Sequence, residues 1–322
     1  MRALITGVGG FAGSHLADAL LARRETEVWG CVIGGGRPEY LSDQVQLIEA
    51  DLRDPKAVLA LLDRVRPDRI YHLAGQSSPQ QSWTDPWDTL ESNLRPQVYL
   101  FEAILRLGLA PRVLVVGSNE EYGRVLPEDL PVRETTSLRP YSPYGVSKVA
   151  QDLLALQYFL SRGLHAVRVR PSNHIGPRQN ERFVAPAFAR QIARIEAGLQ
   201  PPVMRVGNLS ARRDFTDVRD IARAYWLVLE RGEPGEVYNV GSGLAVPVQA
   251  ILDGLLALTT ADIRVEVDAA LLRPVDLPEQ SCDPGKLRAR TGWEPQITLE
   301  QTLRDLLDYE RARLTERNGL ES

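Results

Sequence analysis

The sequence predicts an α/β fold in which a doubly wound parallel sheet is followed by a smaller α/β C-terminal domain. Three observations lead to this fold class. Short β-branched runs alternate with helical stretches in the first half, a glycine-rich turn joins the first strand to the first helix, and the alternation fades after about Ser172. Strands that alternate with helices are typical of βαβ units, whose strands lie parallel in one sheet.

Six predicted strands are near-continuous apolar runs, as expected of strands covered by helices on both faces. They are Arg2–Thr6, Glu27–Ile33, Val45–Ala50, Arg69–Leu73, Val113–Val116 and His165–Val169. Helical patterns predict helices at Ala12–Arg23, Pro55–Arg66, Pro86–Leu107, Pro143–Ser161 and Thr298–Arg313. Asp54 and Ser142 stand directly before two of the first-turn prolines, where a capping side chain is expected. We therefore expect one domain over residues 1–170 and a second, partly interleaved with it, over residues 171–322.

Composition and charge exclude several classes of protein. The chain has 322 residues, 43% of them apolar, which suffices for a buried core and is unlike disordered, collagen-like or coiled-coil sequences. Its net charge is −4 and it has no basic block, so binding to a nucleic-acid backbone is not expected. No stretch of about 18 apolar residues predicts a membrane span. The two cysteines and four histidines show neither disulfide nor metal-ligand spacing, so we expect a cytoplasmic protein without a metal site.

The glycine-rich turn predicts a dinucleotide site. Gly7, Gly10 and Gly13 lie between the first strand and the first helix, with Phe11 and Ala12 at the start of that helix. Glycine permits the tight turn and the close approach of the backbone to a pyrophosphate. The helix N-terminus directs N–H groups and the positive end of its dipole toward the phosphates.

The end of the second strand bears on the choice of dinucleotide. NAD sites place an acidic residue there to hold the ribose 2′-hydroxyl, but this chain has a glycine triplet followed by Arg37. Because Arg37 can face a 2′-phosphate, NADP(H) is favoured, although Arg37 is equally explained as a solvated charge and NAD(H) stays possible. Asp51 and Leu52, directly after the third strand, are placed to contact the adenine.

A tyrosine and a lysine indicate the catalytic site. Tyr144 precedes Lys148 by four residues at the start of a helix, so the two side chains share one face. The chain has 35 arginines but only three lysines, so chance rarely produces this pair. A phenol with a pKa of about 10 is a poor acid–base group at neutral pH unless a nearby cation stabilises its phenolate. Lys148 can supply that cation.

Ser118 and Glu120 complete the predicted catalytic group. Ser118 ends the fifth strand, at the edge where open α/β sheets bind their ligands, and can hydrogen-bond a substrate oxygen beside Tyr144. The carboxylate of Glu120 can reach the same pocket. Considered alone, Ser118 is also explained as a turn hydroxyl and Glu120 as a solvated loop acid.

These motifs together resemble the extended short-chain dehydrogenase/reductases, in the branch that modifies nucleotide sugars. The matching motifs are the Gly7–Gly13 loop, His72-Leu73-Ala74-Gly75, Ser118 and Tyr144-Gly145-Val146-Ser147-Lys148. Within that branch, the segments Gly117–Gly123, Arg139–Lys148, Asn173–Pro177, Val206–Leu209 and Arg213–Asp220 are similar to the reductases and 4,6-dehydratases of GDP-mannose derivatives. The resemblance implies a Rossmann-like NAD(P)-binding domain and a C-terminal domain that binds a nucleotide sugar.

The resemblance also implies which residues contact the ligands. Leu73, Ala74 and Gly75 are expected to line the cofactor, which Tyr144 and Lys148 also contact. The GDP-sugar is expected to contact Ser78, Asn173, Asn208, Leu209, Arg213, Arg219, Arg273 and Asp276. The arginines suit this role because a guanidinium presents a planar fork of donors to phosphate oxygens.

Two reactions fit the same residues. In the reductase interpretation, NAD(P)H reduces the C4 ketone of GDP-4-keto-6-deoxy-D-mannose to GDP-D-rhamnose, and Tyr144 protonates the new alkoxide. In the dehydratase interpretation, Glu120 removes the C5 proton of GDP-mannose before water leaves C6. The short segment Ile33–Tyr40, His174-Ile175-Gly176-Pro177 and the glycine at 145 favour the reductase. A nucleotide-sugar 4-epimerase stays open, whereas a non-catalytic NAD(P)-binding regulator would be expected to lack the Tyr144–Lys148 pair.

The resemblance further implies a homodimer. In the family, the helices that correspond to Pro86–Leu107 and Pro143–Ser161 pack with their counterparts into a four-helix bundle. Both helices carry apolar positions beyond one face, for example Tyr99 and Leu154, although such residues are also explained as part of one domain's core.

Overall fold

The computed structural model describes residues 1–23, 26–34, 36–272 and 277–319, with side chains up to residue 315. The strands are β1 (Arg2–Thr6), β2 (Glu27–Val32), β3 (Gln46–Glu49), β4 (Arg69–His72), β5 (Arg112–Val116), β6 (Ala166–Pro171), β7 (Asn173–Ile175), β8 (Val203–Val206), β9 (Arg212–Asp217), β10 (Val237–Val240), β11 (Ala245–Pro247), β12 (Arg264–Val267) and β13 (Glu279–Gln280). The helices are α1 (Phe11–Leu21), α2 (Pro55–Val65), α3 (Pro79–Thr84), α4 (Pro86–Arg106), α5 (Pro143–Arg162), α6 (Val184–Glu196), α7 (Val218–Arg231), α8 (Val248–Leu256), α9 (Gly285–Thr291) and α10 (Leu299–Gly319).

A parallel sheet forms the centre of the molecule. In the described part of the chain it has seven strands in the order β3-β2-β1-β4-β5-β6-β10. Helices α1 and α7 cover one face through a core that includes Leu16 and Tyr225, and α2, α4 and α5 cover the other through Leu62 and Phe101. The strand order reverses between β1 and β4, which opens a crevice at their carboxyl ends. The α/β fold class predicted from the sequence is confirmed.

The six predicted strands agree with the structure, the first at both ends and the others to within two residues. Helix α10 extends six residues beyond its predicted end, and the short helix α3 was not predicted. The missed strand of the sheet is β10. It is only four residues long and lies in the second half of the chain, where no strand–helix alternation marks it.

The chain after residue 171 contributes to two parts of the fold. Strands β7, β9, β11 and β13 form a small mixed sheet, and β8 pairs with β12. Helices α6, α8 and α10 pack around a separate core that includes Phe188, Ile251 and Leu306. Strand β10 and helix α7, by contrast, return to the main sheet. The domain boundary near residue 170 stays a prediction. Among the described residues, no helix is both long and apolar enough to span a membrane.

Candidate active site

Helix α5 places Tyr144 and Lys148 side by side at the carboxyl end of β5. The Ser142 side chain caps the helix by accepting the N–H of Gly145 at 3.0 Å, and Pro143 occupies the first turn. A Cβ on Gly145 would lie 2.8 Å from the carbonyl oxygen of Glu120, so glycine permits the helix to approach the end of the strand. The Lys148 Nζ lies 5.8 Å from the centre of the Tyr144 ring, and both side chains are buried.

The surroundings of this pair set its protonation. Burial raises the pKa of Tyr144 above its ordinary value, and a side-chain hydrogen bond with Ser118 opposes that rise. Burial lowers the pKa of Lys148 to about 8, against the effect of the Glu121 charge. Lys148 Nζ donates to the Val116 carbonyl oxygen at 3.0 Å and to Gln151 Oε1 at 2.9 Å. At neutral pH, Tyr144 therefore holds a proton that it can donate, beside a predominantly charged lysine.

Ser118 and Glu120 lie at the same strand end. Ser118 caps a short 3₁₀ turn over Asn119–Glu121, and its Oγ accepts the N–H of Glu120 at 3.1 Å. Glu120 Oε1 accepts from Gln280 Nε2 at 3.5 Å, whereas its Oε2 is buried and has no hydrogen-bond partner among the described residues. The structure thus brings the four predicted catalytic residues together.

The loop between β1 and α1 has a shape that fits a diphosphate. Gly7 has a φ of +73°, and a Cβ there would lie 2.9 Å from the backbone nitrogen of Ala74. A Cβ on Gly13 would lie 2.2 Å from the carbonyl oxygen of Gly7, so the helix can pack this close only with glycine at that position. Gly10 is exposed and no side chain caps the helix, which leaves the first N–H groups of α1, from Phe11 and Ala12 onward, open to an anion.

The loop after β4 forms the wall opposite the glycine loop. The backbone N–H of Ala74 donates to Thr6 Oγ1 at 3.2 Å, which joins the ends of β4 and β1. Leu73 and Ala74 are half-buried, and Gly75 is exposed with a φ of +154°. Any Cβ on Gly75 would lie 2.4 Å from Asn93 Oδ1. The predicted cofactor residues of this loop therefore line the crevice between β1 and β4.

Three predicted cofactor residues near β2 and β3 are held by other parts of the chain. The Arg37 guanidinium donates to the carbonyl oxygens of Ser42 and Val45 and lies 3.5 Å from Asp43 Oδ1. Leu52 is buried in the core, and hydrogen bonds from Arg53 lower the pKa of Asp51. With two carbonyl oxygens and a carboxylate beside it, Arg37 is not set apart for a 2′-phosphate, so the preference for NADP(H) stays a prediction.

The predicted substrate residues fall into two groups. Ser78 caps α3 by accepting the N–H of Gln81 at 3.2 Å, and Asn173 is exposed on β7. Arg213 is buried on β9, where its Nη1 donates to the Leu277 carbonyl oxygen at 2.8 Å. It pairs in register with Gln280, the residue that contacts Glu120, so Arg213 lies on a strand next to the catalytic group.

The other predicted substrate residues make contacts within their own half of the chain. Asn208 is exposed and its Oδ1 accepts from the N–H and hydroxyl of Ser210, while Leu209 packs against the core of the second half. Arg219 forms ion pairs with Asp217 and Asp305 at 2.7 Å and so joins α7 to α10. Arg273 and Asp276 lie outside the described residues.

A buried charge network behind the catalytic group was not predicted from the sequence. Glu121 Oε2 accepts from Arg170 Nε at 2.8 Å, and the same Nε donates to Asp152 Oδ2 at 2.9 Å. Asp152 also pairs with Arg168. A signal for this network is present in the sequence, because Arg168 and Arg170 alternate along a buried strand and so share one face. Two buried guanidinium groups require partner carboxylates, since an unpaired buried charge is strongly unfavourable.

Asn93 was also missed. Its Oδ1 accepts the N–H of Gln76 at 2.8 Å and its Nδ2 donates to Ser147 Oγ at 2.8 Å. Ser147 Oγ in turn donates to the Tyr144 carbonyl oxygen at 2.7 Å. Asn93 thereby ties the loop after β4 to the first turn of α5, but nothing in the sequence distinguishes it from an exposed asparagine in a long helix.

Comparison with known proteins places this site in a family. Residues 4–306 match the model of the family described as GDP-mannose 4,6 dehydratase. The chain is 35% identical over 315 residues to GDP-6-deoxy-D-mannose reductase of Pseudomonas aeruginosa, with 98% of this chain and 99% of that protein covered. It is 28% identical over 367 residues to GDP-mannose 4,6-dehydratase of Vibrio cholerae, with 99% and 96% covered.

Solved structures give the same result. The structure of RMD from Pseudomonas aeruginosa complexed with NADPH has a TM-score of 0.85 and 33% identity, with 97% of this chain and 99% of that chain covered. The Thermus thermophilus UDP-glucose 4-epimerase complex with NAD has a TM-score of 0.86, 31% identity and the same coverage. The resemblance drawn from the glycine loop and the Tyr144–Lys148 pair is thus confirmed over nearly the whole chain, which belongs to the GDP-mannose 4,6 dehydratase family.

Proposed function

We propose that this protein is an NAD(P)H-dependent reductase that converts the C4 ketone of GDP-4-keto-6-deoxy-D-mannose to GDP-D-rhamnose. The observation that carries the proposal is the agreement in length and identity with a reductase. An alignment of 315 residues covers 98% of this chain and 99% of the Pseudomonas aeruginosa reductase, so the two chains align almost without gaps. The alignment with the Vibrio cholerae dehydratase extends over 367 residues, more than this chain contains, so that dehydratase carries insertions that are missing here.

The catalytic group suits a ketone reduction. A bound NAD(P)H supplies the hydride to C4 of the sugar. Tyr144 donates its proton to the C4 oxygen as that oxygen becomes an alkoxide, and Ser118 hydrogen-bonds the same oxygen and orients it. The Lys148 ammonium then stabilises the phenolate left on Tyr144. The buried, protonated state of Tyr144 supports this direction, because an acid is needed at the moment of hydride transfer.

The cofactor is proposed to lie across the carboxyl edge of the sheet. Gly7, Gly10, Phe11, Ala12 and Gly13 would hold its diphosphate at the start of α1. Further along, Leu73, Ala74 and Gly75 would line the nicotinamide half and Lys148 would contact the ribose. We propose NADP(H) as the preferred cofactor because the structure of RMD contains NADPH, although the structure of the related epimerase contains NAD. Kinetics with each cofactor, reported as the ratio of kcat/KM values, test this preference.

The substrate is proposed to extend from the catalytic group into the second half of the chain. Arg213 is the best-placed diphosphate ligand, because its strand neighbour Gln280 contacts Glu120. Asn173 and Asn208 are exposed, and we propose that they contact the sugar or the nucleoside. The other residues proposed to contact the GDP-sugar are Leu209, Ser78, Arg219, Arg273 and Asp276.

A homodimer is proposed through α4 and α5. Val146, Leu153 and Leu160 are spaced by seven residues on α5, and their exposed fractions are 45%, 50% and 71%. Residues at this spacing lie on one face of a helix, where an exposed apolar stripe favours packing against a second helix pair. Trp87 on α4 is 72% exposed. Sedimentation of the unaltered protein should give a dimer, and Leu153→Glu should give a monomer.

One experiment separates the reductase from its alternatives. GDP-mannose is supplied with NADPH, with and without an added GDP-mannose 4,6-dehydratase, and NADPH absorbance is followed together with product mass. The reductase consumes NADPH only after the dehydratase has acted. Conversion of GDP-mannose to the keto sugar without net NADPH consumption would instead identify a dehydratase. The dehydratase is the second candidate function, because the buried Oε2 of Glu120, which has no partner among the described residues, is suited to accept a proton from the substrate.

A further inference from the structure

The strand end that carries Ser118 is held by the residue three positions further along the chain. Glu121 is fully buried, and its Oε1 accepts the backbone N–H of Ser118 at 2.8 Å. The same oxygen is so close to the backbone that a Cβ on Gly117 would lie 2.1 Å from it. The Glu121 carboxylate therefore fixes the position of the backbone at Ser118.

Glu121 is itself held from the opposite side. Arg170 Nε lies 2.8 Å from Glu121 Oε2 and 2.9 Å from Asp152 Oδ2, so one guanidinium joins both carboxylates. Arg170 also donates to the hydroxyl of Tyr122 at 3.1 Å, and Arg168 pairs with Asp152. The side chain of Glu121 consequently has little freedom to reorient.

The charge of Glu121 also acts on Lys148 and raises its pKa, against the effect of burial. The ammonium of Lys148 donates to the carbonyl oxygen of Val116, two residues before Ser118 on the same strand end. The titratable groups around Lys148 and Tyr144 are Glu120 and Glu121 on the 3₁₀ turn, His72 on β4 and Tyr144 itself. Burial lowers the pKa of His72 to about 3 and keeps that imidazole neutral, and Tyr144 is protonated, so Glu121 supplies the negative charge that acts on Lys148.

The charge balance of the network favours an ionised Glu121. Burial, the charge of Asp152 and a side-chain hydrogen bond with Asp152 raise the pKa of Glu121 well above its ordinary value, and Arg170 and the N–H of Ser118 oppose that rise. Within the described residues, three cations (Arg168, Arg170 and Lys148) accompany the two carboxyl groups of this network. Among these five groups, ionisation of both carboxyl groups balances two of the three cations, and this balance is the reason for assigning a negative charge to Glu121 against the effect of burial.

We propose that Glu121 is a positioning residue with two roles: its side chain fixes the strand end that carries Ser118, and its negative charge stabilises the Lys148 ammonium opposite Tyr144. Glu121 does not touch the reacting atoms. Its effect on the reaction passes through Ser118 and Lys148, and that part of the inference rests on the proposed function. Its effect on the protonation of Lys148 does not.

The scarcity of lysine makes the charge role directly measurable. Protein labelled with ¹³C at the lysine ε-carbon contains only Lys56, Lys148 and Lys286, and Lys148→Arg identifies the Lys148 signal. In Glu121→Gln, which keeps the length of the side chain but removes its charge, the titration midpoint of Lys148 is expected to fall by about one pH unit. The signals of Lys56 and Lys286 should not move, and Glu128→Gln, which removes an exposed carboxylate, should leave all three unchanged.

Glu121→Asp tests the other role, because it keeps the charge but shortens the reach by one methylene. Its Lys148 midpoint is expected to stay near that of the unaltered protein, while kcat falls by about tenfold to a hundredfold through misplacement of Ser118. KM is expected to change little. The amide oxygen of Glu121→Gln can still accept the N–H of Ser118, but its NH₂ group then faces the donor Arg170 Nε, so thermal unfolding of this variant is measured beside its kcat.

The outcomes separate the two roles and the proposed function. An unchanged Lys148 midpoint in Glu121→Gln overturns the charge role, and an unchanged kcat in Glu121→Asp overturns the positioning role. If the unaltered protein does not reduce the keto sugar, the proposed function fails, but the lysine titration still decides the charge role. Thermal unfolding of each variant shows whether a loss of kcat reflects a loss of folded protein.

Discussion

The two sides of the catalytic group differ in how completely their polar atoms are bonded. On the ligand side, Glu120 Oε2 is buried without a partner among the described residues, and the first N–H groups of α1 are uncapped. On the opposite side, Glu121 bonds through both oxygens, and Asn93 through both its oxygen and its nitrogen. Spare hydrogen-bonding capacity is thus found where we propose that ligand binds, and Glu121 and Asn93 use both of their polar ends to hold the site in place. Bonding behind the site is not complete, because Arg168 Nε in the charge network is buried without a partner among the described residues.

This difference has an energetic reason. A buried polar atom without a partner is unfavourable by about 1–3 kcal/mol, so such an atom beside a catalytic group is a candidate for contact with a ligand. A buried charge that no ligand contacts must be paired within the protein. Removal of one partner of such a pair leaves the other charge buried and unpaired. Changes on the ligand side should therefore alter turnover, and changes behind it should alter stability.

The largest expected effect on turnover comes from Tyr144. Tyr144→Phe removes the proton donor and should lower kcat by about 10²- to 10⁴-fold, while NADPH binding and the unfolding temperature stay close to those of the unaltered protein. Tyr158→Phe, on the same helix, is the matched control and should keep kcat, because its hydroxyl bonds to Glu102. Loss of NADPH binding in Tyr144→Phe would assign Tyr144 to the scaffold instead.

Arg170 is expected to give the largest effect on stability. Arg170→Met leaves the carboxylates of Glu121 and Asp152 buried without their shared partner, and should lower the free energy of unfolding by about 3–5 kcal/mol. Urea unfolding measures this change. Arg205→Met removes an exposed ion pair with Asp268 and should change it by less than about 1 kcal/mol. Equal effects in the two variants would contradict the comparison.

The residues on the ligand side were predicted from the sequence, whereas the charge network behind them was not. Motifs such as the glycine loop and the Tyr144–Lys148 pair are local in the chain, so spacing and strand order sufficed to bring them to one edge of the sheet. The pairing of Arg170 with Glu121 joins residues 49 positions apart, and a sequence states only that a buried arginine needs some acid. The missed strand β10 has the same cause, since four residues acquire their place only by pairing with β6.

A smaller effect is expected from pH. Because burial lowers the pKa of Lys148 to about 8, kcat/KM should fall as the pH rises through 8, by about tenfold for each unit above it. Between about 8 and the ordinary lysine value, the unfolded chain binds more protons at this residue than the folded one. Lys148 therefore contributes stability as the pH rises through this window, and thermal unfolding over the same pH range checks that the loss of activity is not a loss of folded protein. A flat profile up to pH 10 would contradict the assigned environment of Lys148.

Glu120, on the ligand side, is expected to give the smallest effect. One oxygen accepts weakly from Gln280 at 3.5 Å and the other has no partner within the described chain, so Glu120 belongs to the ligand side. In a reductase, the proton for C4 comes from Tyr144, so Glu120→Gln should lower kcat by less than about tenfold. In a dehydratase, the same change removes the base for C5 and should lower kcat by orders of magnitude.

The assay uses two reactions in parallel, one with the keto sugar and NADPH and one with GDP-mannose alone. Because the substitution is isosteric, unchanged thermal unfolding assigns any loss to chemistry. A severe loss with the keto sugar would mean that the spare oxygen of Glu120 takes part in proton transfer, which would extend the acid–base group beyond Tyr144.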